Sequence, residues 1–167
     1  MNKPKLSCIE FLRFVPLAPQ PLDPRCGDTV AVIGWLMDFA ALHVDYAQEA
    51  SAPDGSTVHV LVQGSQGSMA LFSLPPFGIS RAVVHSSVEE LWYFLSGAGR
   101  MWLKAGGREE VVTISPGMSV AIGPGTAFQF RSDSAEHLRA VGSTMPPWPG
   151  DHEARATTGP WIPTHRP

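Results

Sequence analysis

The sequence has few charged side chains and little cysteine. Only 16% of its 167 residues are charged, against roughly 25% in an average soluble domain. A formal net charge of −3 gives no field that attracts phosphate backbones, so nucleic acid is not expected as a partner. The two cysteines, Cys8 and Cys26, lack the spacing of a zinc site or a disulfide framework.

Long apolar runs are also missing. The best candidate, Thr29 to Leu42, is shorter than the roughly 20 residues that span a membrane, and it contains Asp38. It is a poor signal peptide as well, because a Pro-rich stretch separates it from Lys3 and Lys5. The sequence therefore predicts a soluble, cytoplasmic protein with no membrane partner.

Glycine and proline are abundant, with 16 of each, and this favours a chain rich in turns. Short β-type segments alternate with turn signals such as PDG, SPG and GPG, and no helix of useful length fits between them. The predicted strands are Thr57–Gln63, Ser68–Leu74, Ser80–His85, Glu90–Leu95, Arg100–Lys104, Glu109–Ile114, Met118–Ile122, Ala127–Arg131 and Leu138–Ser143. This spacing predicts an all-β barrel or jelly roll, because closing or doubling a sheet removes its exposed edges.

Three zones follow from this pattern. We predict an N-terminal extension at residues 1–45, a barrel at 46–143, and a C-terminal strap and tail at 144–167. Two hypotheses stay open for the extension. Either the native chain starts at or near Met37, with residues 1–36 a poorly structured addition, or Thr29 to Leu42 is an apolar helix or strand packed on the barrel.

The C-terminal zone contains Trp148 and Trp161 among several prolines. Prolines stiffen such a segment, and tryptophans can anchor it on an apolar surface. We therefore expect a strap that is anchored as far as about Gly150, followed by a looser polar end.

The stretch VVHSSVEELWYFLSGAG has a distinctive spacing. Four residues separate His85 from Glu90, and six separate Glu90 from Gly97. Further along, SPGMSVAIGPGTAFQFR places Gly117 and Gly125 at a second fixed separation. Together, in this order, the two stretches resemble the two motifs of the cupin superfamily.

The resemblance covers roughly residues 55–143. It implies a cupin double-stranded β-helix and, since cupins often pair, a homodimer. The ligand set that it implies is incomplete, because Val83 and Phe128 stand where two of the four metal ligands of the family would be. The two remaining ligands, His85 and Glu90, would hold a divalent ion weakly. No cofactor is therefore firmly predicted, although a divalent metal ion is retained as an alternative.

Other candidate ligands are poor ones. His59 is a single histidine in a strand, and Gln129 should face away from its neighbour Phe128. The sequence HVD at His43 to Asp45 matches the start of a two-histidine, one-carboxylate triad, but it precedes the barrel and is interpreted as a chance match.

Strand periodicity predicts an aromatic pocket around His85 and Glu90. Residues two apart share a face of a strand, and in cupins the corresponding faces line the barrel interior. The predicted pocket residues are Arg81, Val83, Trp92, Phe94, Phe128 and Phe130. Apolar walls with a few converging polar groups are typical of a small-molecule site.

Three functions remain open. The first is a protein that binds a small molecule and has a degraded metal site, in which His85 and Glu90 also form an acid/base pair. The second is an enzyme, either a metal-dependent cupin such as an oxygenase or sugar isomerase, or a metal-free isomerase. The third is a barrel packed shut that acts as a structural or interaction module.

Overall fold

The computed structural model describes residues 6–7 and 39–164. These residues form short strands and two single-turn 3₁₀ helices, Val44–Tyr46 and Asp151–Glu153. The strands are β1 (Leu6–Ser7), β2 (Gln48–Ser51), β3 (Thr57–Gln63), β4 (Ser68–Leu74), β5 (Val83–His85), β6 (Glu89–Ser96), β7 (Gly99–Ala105), β8 (Arg108–Ile114), β9 (Ser119–Ile122), β10 (Ala127–Ser132), β11 (Leu138–Met145) and β12 (Ala154–Ala156). Within these ranges no helix is long and apolar enough to cross a membrane.

The strands are arranged in two sheets. One has the order β1-β2-β3-β4-β11-β6-β9, and the other has the order β12-β5-β10-β7-β8. The β1–β2 pair is parallel, and the remaining pairs are antiparallel. Strands that are distant in sequence, such as β4 and β11, lie next to each other. The all-β jelly-roll fold predicted from the turn spacing is confirmed.

The nine predicted strands all form, most of them within two residues of their predicted bounds. The exception is the segment Ser80–His85, of which only Val83–His85 is a strand. Ser80 bonds instead to Phe130, through its backbone N–H at 2.9 Å and its hydroxyl oxygen at 3.0 Å. These hydrogen bonds to Phe130 replace the regular strand pairing expected for residues 80–82.

Two strands within residues 39–164 were not predicted. β2 is short and mainly polar, and β12 has only three residues, too few to show a period. Each forms because its backbone pairs with an adjacent strand: β2 pairs with β3, and β12 pairs with β5.

The core lies between the sheets. On β6 the residues Glu90, Trp92 and Phe94 are buried, whereas Leu91 and Tyr93 on the opposite face are exposed. This strict alternation follows from the pleat of a strand with one buried face. The apolar residues that form the core cluster are Leu74, Val83, Trp92, Phe94, Met101, Ile114, Ile122, Phe128, Phe130, Leu138 and Ala140.

The two hypotheses on the N-terminal extension fall mainly on residues 8–38, which lie outside the described residues, as do Met37 and both cysteines. Of the segment Thr29 to Leu42, only residues 39–42 are described, and they are neither helix nor strand. Leu6–Ser7 pairs with Ala50–Ser51 of β2. Both hypotheses stay predictions.

The C-terminal segment remains in contact with the barrel beyond Gly150. There β12 pairs with β5, with Ala154 opposite His85. Further on, the side chain of Gln129 donates a hydrogen bond to the carbonyl of Trp161 at 2.9 Å and accepts one from its backbone N–H at 3.1 Å. The end expected to be looser is thus tied down by backbone pairing and by a buried amide.

Candidate functional site

His85 and Glu90 lie on either side of a short loop. His85 ends β5 and Glu90 is the second residue of β6, so the loop Ser86–Val88 carries the chain from one sheet to the other. The distance from Nδ1 of His85 to Oε2 of Glu90 is 3.7 Å. The two residues are 5% and 2% exposed, respectively. The structure therefore brings this pair together in the barrel interior.

His85 is packed between aromatic rings. Its ring lies edge-on to Phe128 at 5.2 Å and to Trp148 at 5.1 Å between centroids. Its Nδ1 atom has no hydrogen-bond partner among the described residues. Burial lowers the pKa of His85 to about 4, although the negative charge of Glu153 opposes this. The imidazole is therefore neutral at pH 7.

Glu90 has the opposite behaviour. Burial raises the pKa of its carboxyl group to about 8, the hydrogen bond from Trp92 opposes the rise, and the charge of Asp54 adds to it. Nε1 of Trp92 donates to Oε2 of Glu90 at 2.9 Å. At pH 7 the carboxyl group is mainly protonated, so the pair consists of a neutral acid beside a neutral base.

A partly enclosed cavity lies beside this pair. Its volume is about 80 Å³, whereas one water molecule needs roughly 10–15 Å³. The aromatic residues that line it are Phe72, Trp92, Phe128 and Trp148, and the polar ones are Asp54, Gln63, Ser68, His85, Glu90 and Thr144. The rest of the wall is mostly aliphatic. The cavity thus has room for more than one water and offers little to hydrogen-bond it.

The predicted pocket residues divide into two groups. Val83, Trp92 and Phe128 line the cavity. Phe94 and Phe130 face the interior but lie within the core cluster and do not line the cavity. Strand alternation identifies the inward face correctly, but it does not indicate where along that face close packing gives way to a cavity.

Arg81 is also absent from the cavity wall. It precedes β5, and its backbone N–H donates to the carbonyl of Asp54 at 2.7 Å. Its charge opposes the rise that burial causes in the pKa of Asp54. Because Ser80–Ala82 is not part of a strand, the expected alternation with Val83 and His85 does not extend to Arg81.

Several lining residues were missed by the sequence analysis. Asp54 belongs to the PDG turn and could be interpreted only as a turn residue, yet it is 4% exposed and lines the cavity. Phe72 lies on a predicted strand, so alternation could have found it. Trp148 was expected to anchor the strap, but nothing in the sequence shows that it does so against His85.

Glu153 holds the loop between the paired residues. Its Oε1 accepts hydrogen bonds from the backbone N–H groups of Ser87 at 2.5 Å and Val88 at 3.0 Å, and Oε2 accepts one from the Ser87 hydroxyl at 3.0 Å. Burial opposes ionisation of Glu153, but these bonds outweigh it and lower its pKa. The strap thereby fixes the loop that sets the spacing of His85 and Glu90.

Among residues 39–164, the side chains around His85 and Glu90 form no complete ligand set for a divalent metal ion. In residues 39–164 no three His, Cys, Asp or Glu side chains are grouped so that they could hold one. Val83 and Phe128, at the two other ligand positions of the family, are buried hydrocarbons. The pair that remains is an acid that burial keeps protonated and a histidine.

The further candidates do not complete the set. Gln129 is buried, but its amide is engaged by Ser80 and Trp161. Nε2 of His59 lies 3.9 Å from Oε2 of Glu49, and His59 does not line the cavity. His43 and Asp45 belong to an exposed 3₁₀ turn.

Comparison with known proteins finds a matching family model for part of the chain. The sequence matches the family model of the cupin domain over residues 70–142. No curated protein matches it.

Several solved structures share the fold. One is a variant of Streptomyces PAC13 with uridine, with 17% identity, a TM-score of 0.58 and coverage of 72% of this chain and 92% of that one; Pac13 is described as a nucleoside dehydratase. A predicted oxalate decarboxylase from Thermotoga maritima has 16% identity and a TM-score of 0.53, with 64% and 98% covered.

A third similar structure is a conserved protein from Klebsiella pneumoniae with a double-stranded β-helix domain. It has 16% identity and a TM-score of 0.56, with 71% and 96% of the chains covered. At these identities the likeness concerns the fold. The match to the family model identifies residues 70–142 as a cupin domain, and the order of the two motifs and the shared double-stranded β-helix agree with it.

Proposed function

We propose that this protein binds a small organic molecule in the barrel cavity without the help of a divalent metal ion. The observation that carries the proposal is the partly enclosed cavity of about 80 Å³ with largely apolar walls, on which His85 and Glu90 converge. Apolar walls provide affinity through burial, and a few polar groups orient the ligand.

The cavity also bears on the other two functions. A barrel packed shut would leave no such space beside His85 and Glu90. A metal-dependent oxygenase or sugar isomerase would need a third ligand, and Val83 and Phe128 supply none. A binding site with a degraded ligand set agrees better with both observations.

Ligand screening tests the proposal. The full chain is screened by thermal shift against small molecules of positive, neutral and negative charge, in buffer containing a chelator. We expect at least one class to stabilise the folded state, because a ligand that binds only the native protein raises its melting temperature.

Two matched variants locate the binding. Ala50→Leu adds a larger side chain to the cavity wall and should abolish the stabilisation by ligand, whereas Ala121→Leu, on the exposed face of β9, should preserve it. Equal stabilisation of both variants by the same ligands would contradict binding in the cavity. A ligand that stabilises the protein only when the chelator is omitted would contradict metal independence.

A second candidate function is metal-free proton transfer, as in an isomerase or a lyase. It is favoured by the opposed pKa shifts of two adjacent groups, about 4 for His85 and about 8 for Glu90. A protonated carboxyl group can donate a proton and a neutral imidazole can accept one from the same substrate. One of the similar structures is described as a nucleoside dehydratase, so a lyase with this fold is known.

Single substitutions separate binding from catalysis. Once a ligand is known, Glu90→Gln and His85→Gln should each lower turnover by about 10²- to 10⁴-fold if the pair transfers protons. If the ligand is bound and never converted by the wild type, the protein is a binding protein and the second function is wrong.

We also propose a homodimer, on the basis of the superfamily. Sedimentation equilibrium over a range of concentrations tests it. A monomer at every concentration would contradict it.

A further inference from the structure

Most of the ionisable groups that line the cavity are acids. Two carboxyl side chains, Asp54 and Glu90, and the imidazole of His85 line it, and the described lining residues include no lysine or arginine. Both carboxyl groups are buried, at 4% and 2% exposure. An anionic ligand would meet two buried carboxyl groups and no lysine or arginine among the described lining residues, so its charge would stay unpaired in a region of low dielectric.

The Asp54 carboxyl group is bonded to its neighbour Ser56 through one oxygen. Its Oδ1 accepts hydrogen bonds from the backbone N–H and the hydroxyl of Ser56 at 2.8 and 2.7 Å. The charge of the Arg81 side chain acts on the Asp54 carboxyl group, and Nε of Arg81 has no hydrogen-bond partner among the described residues. Burial prevails and raises the pKa of Asp54 despite both neighbours.

Glu90 and His85 present further acceptor atoms to the same space. The charge of Asp54 reaches Glu90 and adds to the rise that burial causes in its pKa. Nδ1 of His85, in a residue that is 5% exposed, lacks a partner in the described part of the chain. The hydroxyls of Ser68 and Thr144, by contrast, are bonded to each other at 2.6 Å. Two carboxyl groups and an imidazole therefore face one small cavity that contains few donors.

Aromatic rings complete the wall. Trp92, Phe128 and Trp148 line the cavity together with these acceptors. Aromatic faces attract cations, and the attraction is strongest where water is excluded. Carboxyl groups beside aromatic rings favour a positively charged group with N–H donors.

We infer that the ligand of this cavity is a small organic cation, a primary ammonium ion on a short apolar body, whose N–H groups bond to Glu90, Asp54 and His85. This inference rests on the proposed binding function and names its ligand class. When the cation binds, the Glu90 carboxyl group loses its proton to the buffer and the carboxylate pairs with the ammonium group. No other covalent bond changes.

Three probes with the same isobutyl body and different head groups test the inference on the full chain. They are isobutylammonium, isobutanol and isovalerate, measured by titration calorimetry at pH 6.5. We expect isobutylammonium to bind at least about tenfold more tightly than isobutanol, and isovalerate not to bind. Titration in two buffers of different ionisation enthalpy should show release of about one proton per ammonium bound.

Variants assign the effect to Glu90. Glu90→Gln retains an acceptor for Trp92. It should weaken the affinity for isobutylammonium by at least about tenfold and abolish the proton release. The affinity for isobutanol should stay within about threefold of the wild-type value. Glu89→Gln, on the exposed face of the same strand, should behave like the wild type. Asp54→Asn provides a second variant, with a smaller loss of ammonium affinity, should Glu90→Gln fail to fold.

The outcomes distinguish the two proposals. Isobutanol or isovalerate binding as tightly as isobutylammonium would overturn the cation inference and would support the small-molecule function. Ammonium binding without proton release, or unchanged in both variants, would also overturn it. If none of the three probes binds, the cation inference is wrong, and the general screen decides the binding function separately.

Discussion

At the scale of single residues, the feature that governs this site is a carboxyl group held neutral by its surroundings. Glu90 has one strong donor, the indole N–H of Trp92 at 2.9 Å. That donor favours the charged form, so it works against burial. The balance between the two places the pKa of Glu90 at about 8, within reach of ordinary buffers.

Replacing Trp92 by phenylalanine should disturb this balance. The ring remains aromatic and apolar, but its N–H donor is lost, so the pKa of Glu90 should rise further, by about one unit. Carbon-13 NMR titration of the side-chain carboxyl groups in wild type and variant measures the change. A pKa that stays constant or falls would show that the Trp92 bond does not stabilise the carboxylate.

Trp102 offers a matched control. Its Nε1 donates to Oε1 of Glu109 at 2.8 Å, and this bond is the main cause of the lowered pKa of that exposed carboxyl group. Trp102→Phe should therefore raise the pKa of Glu109 and leave that of Glu90 unchanged. The two variants differ only in which carboxyl group loses its indole donor.

At the scale of elements, close backbone contacts fix how β7 and β10 meet. Gly99 begins β7 and lies opposite Ser132. A Cβ atom at this position would collide with the carbonyl oxygen of Arg131 on β10. Since that atom belongs to the backbone of a paired strand, it cannot move aside without breaking the ladder.

Gly99→Ala should therefore destabilise the protein by about 3 kcal/mol or more. Gly123→Ala is the matched control, since nothing lies within 4 Å of its added methyl group and its φ is not positive; its effect should stay within about 0.5 kcal/mol. Urea denaturation measures both. Equal stability of the two variants would show that β10 yields at this point.

A second prediction at this scale concerns the strap. Glu153→Gln removes a charged acceptor from the N–H groups of Ser87 and Val88 and should cost about 1.5–3 kcal/mol, the usual range for hydrogen bonds to a charged group. Glu136→Gln, at an exposed position, should change stability by less than about 0.5 kcal/mol. Urea denaturation at pH 7 compares them, and equal losses would contradict the role given to the strap.

The sequence predicted elements better than contacts. β3 and β4 were predicted with their observed bounds because apolar β-type runs end at turn signals. β12 was not, because three residues are too few to show a period and it forms through pairing with β5. The two motifs indicated the site in the same way, through spacing along the chain.

Residues that reach the site from elsewhere were beyond such prediction. Asp54 comes from a turn before β3 and Trp148 from the strap, and only the packing of the barrel shows that both line one cavity. Phe94 illustrates the reverse case, since its inward position was predictable and its place in the filled core was not. Periodicity gives the direction of a side chain, whereas a cavity depends on volumes contributed by many strands.

At the scale of the whole molecule, His85 and Glu90 should shape the dependence of stability on pH. In the unfolded chain these groups titrate at their ordinary pKa values of 6.5 and 4.5, and in the folded protein at about 4 and about 8. The histidine is neutral when folded, so its contribution is complete above pH 6.5 and is lost as the pH falls toward 4. The carboxyl group is protonated when folded, so its contribution is complete below pH 4.5 and is lost as the pH rises toward 8.

Between pH 4.5 and 6.5 the pH dependences of the two contributions to stability cancel. The folded state holds the proton of Glu90 and the unfolded state holds that of His85, so unfolding exchanges no net proton and the pair gives a plateau. From pH 6.5 to 8 the folded state holds one more proton, and stability should fall by about 1.4 kcal/mol per pH unit.

Single variants separate the two contributions, because the titrations of groups that do not interact with His85 or Glu90 largely cancel in the comparison with wild type. The stability of Glu90→Gln relative to wild type should rise as the pH increases from 4.5 to 8. That of His85→Gln should rise as the pH decreases from 6.5 to 4, and Glu89→Gln should follow the wild type throughout. Urea denaturation at half-unit intervals of pH measures all four curves. Parallel curves for the four proteins would mean that folding leaves both pKa values unchanged, and the neutral pair on which the cavity's chemistry depends would then not exist.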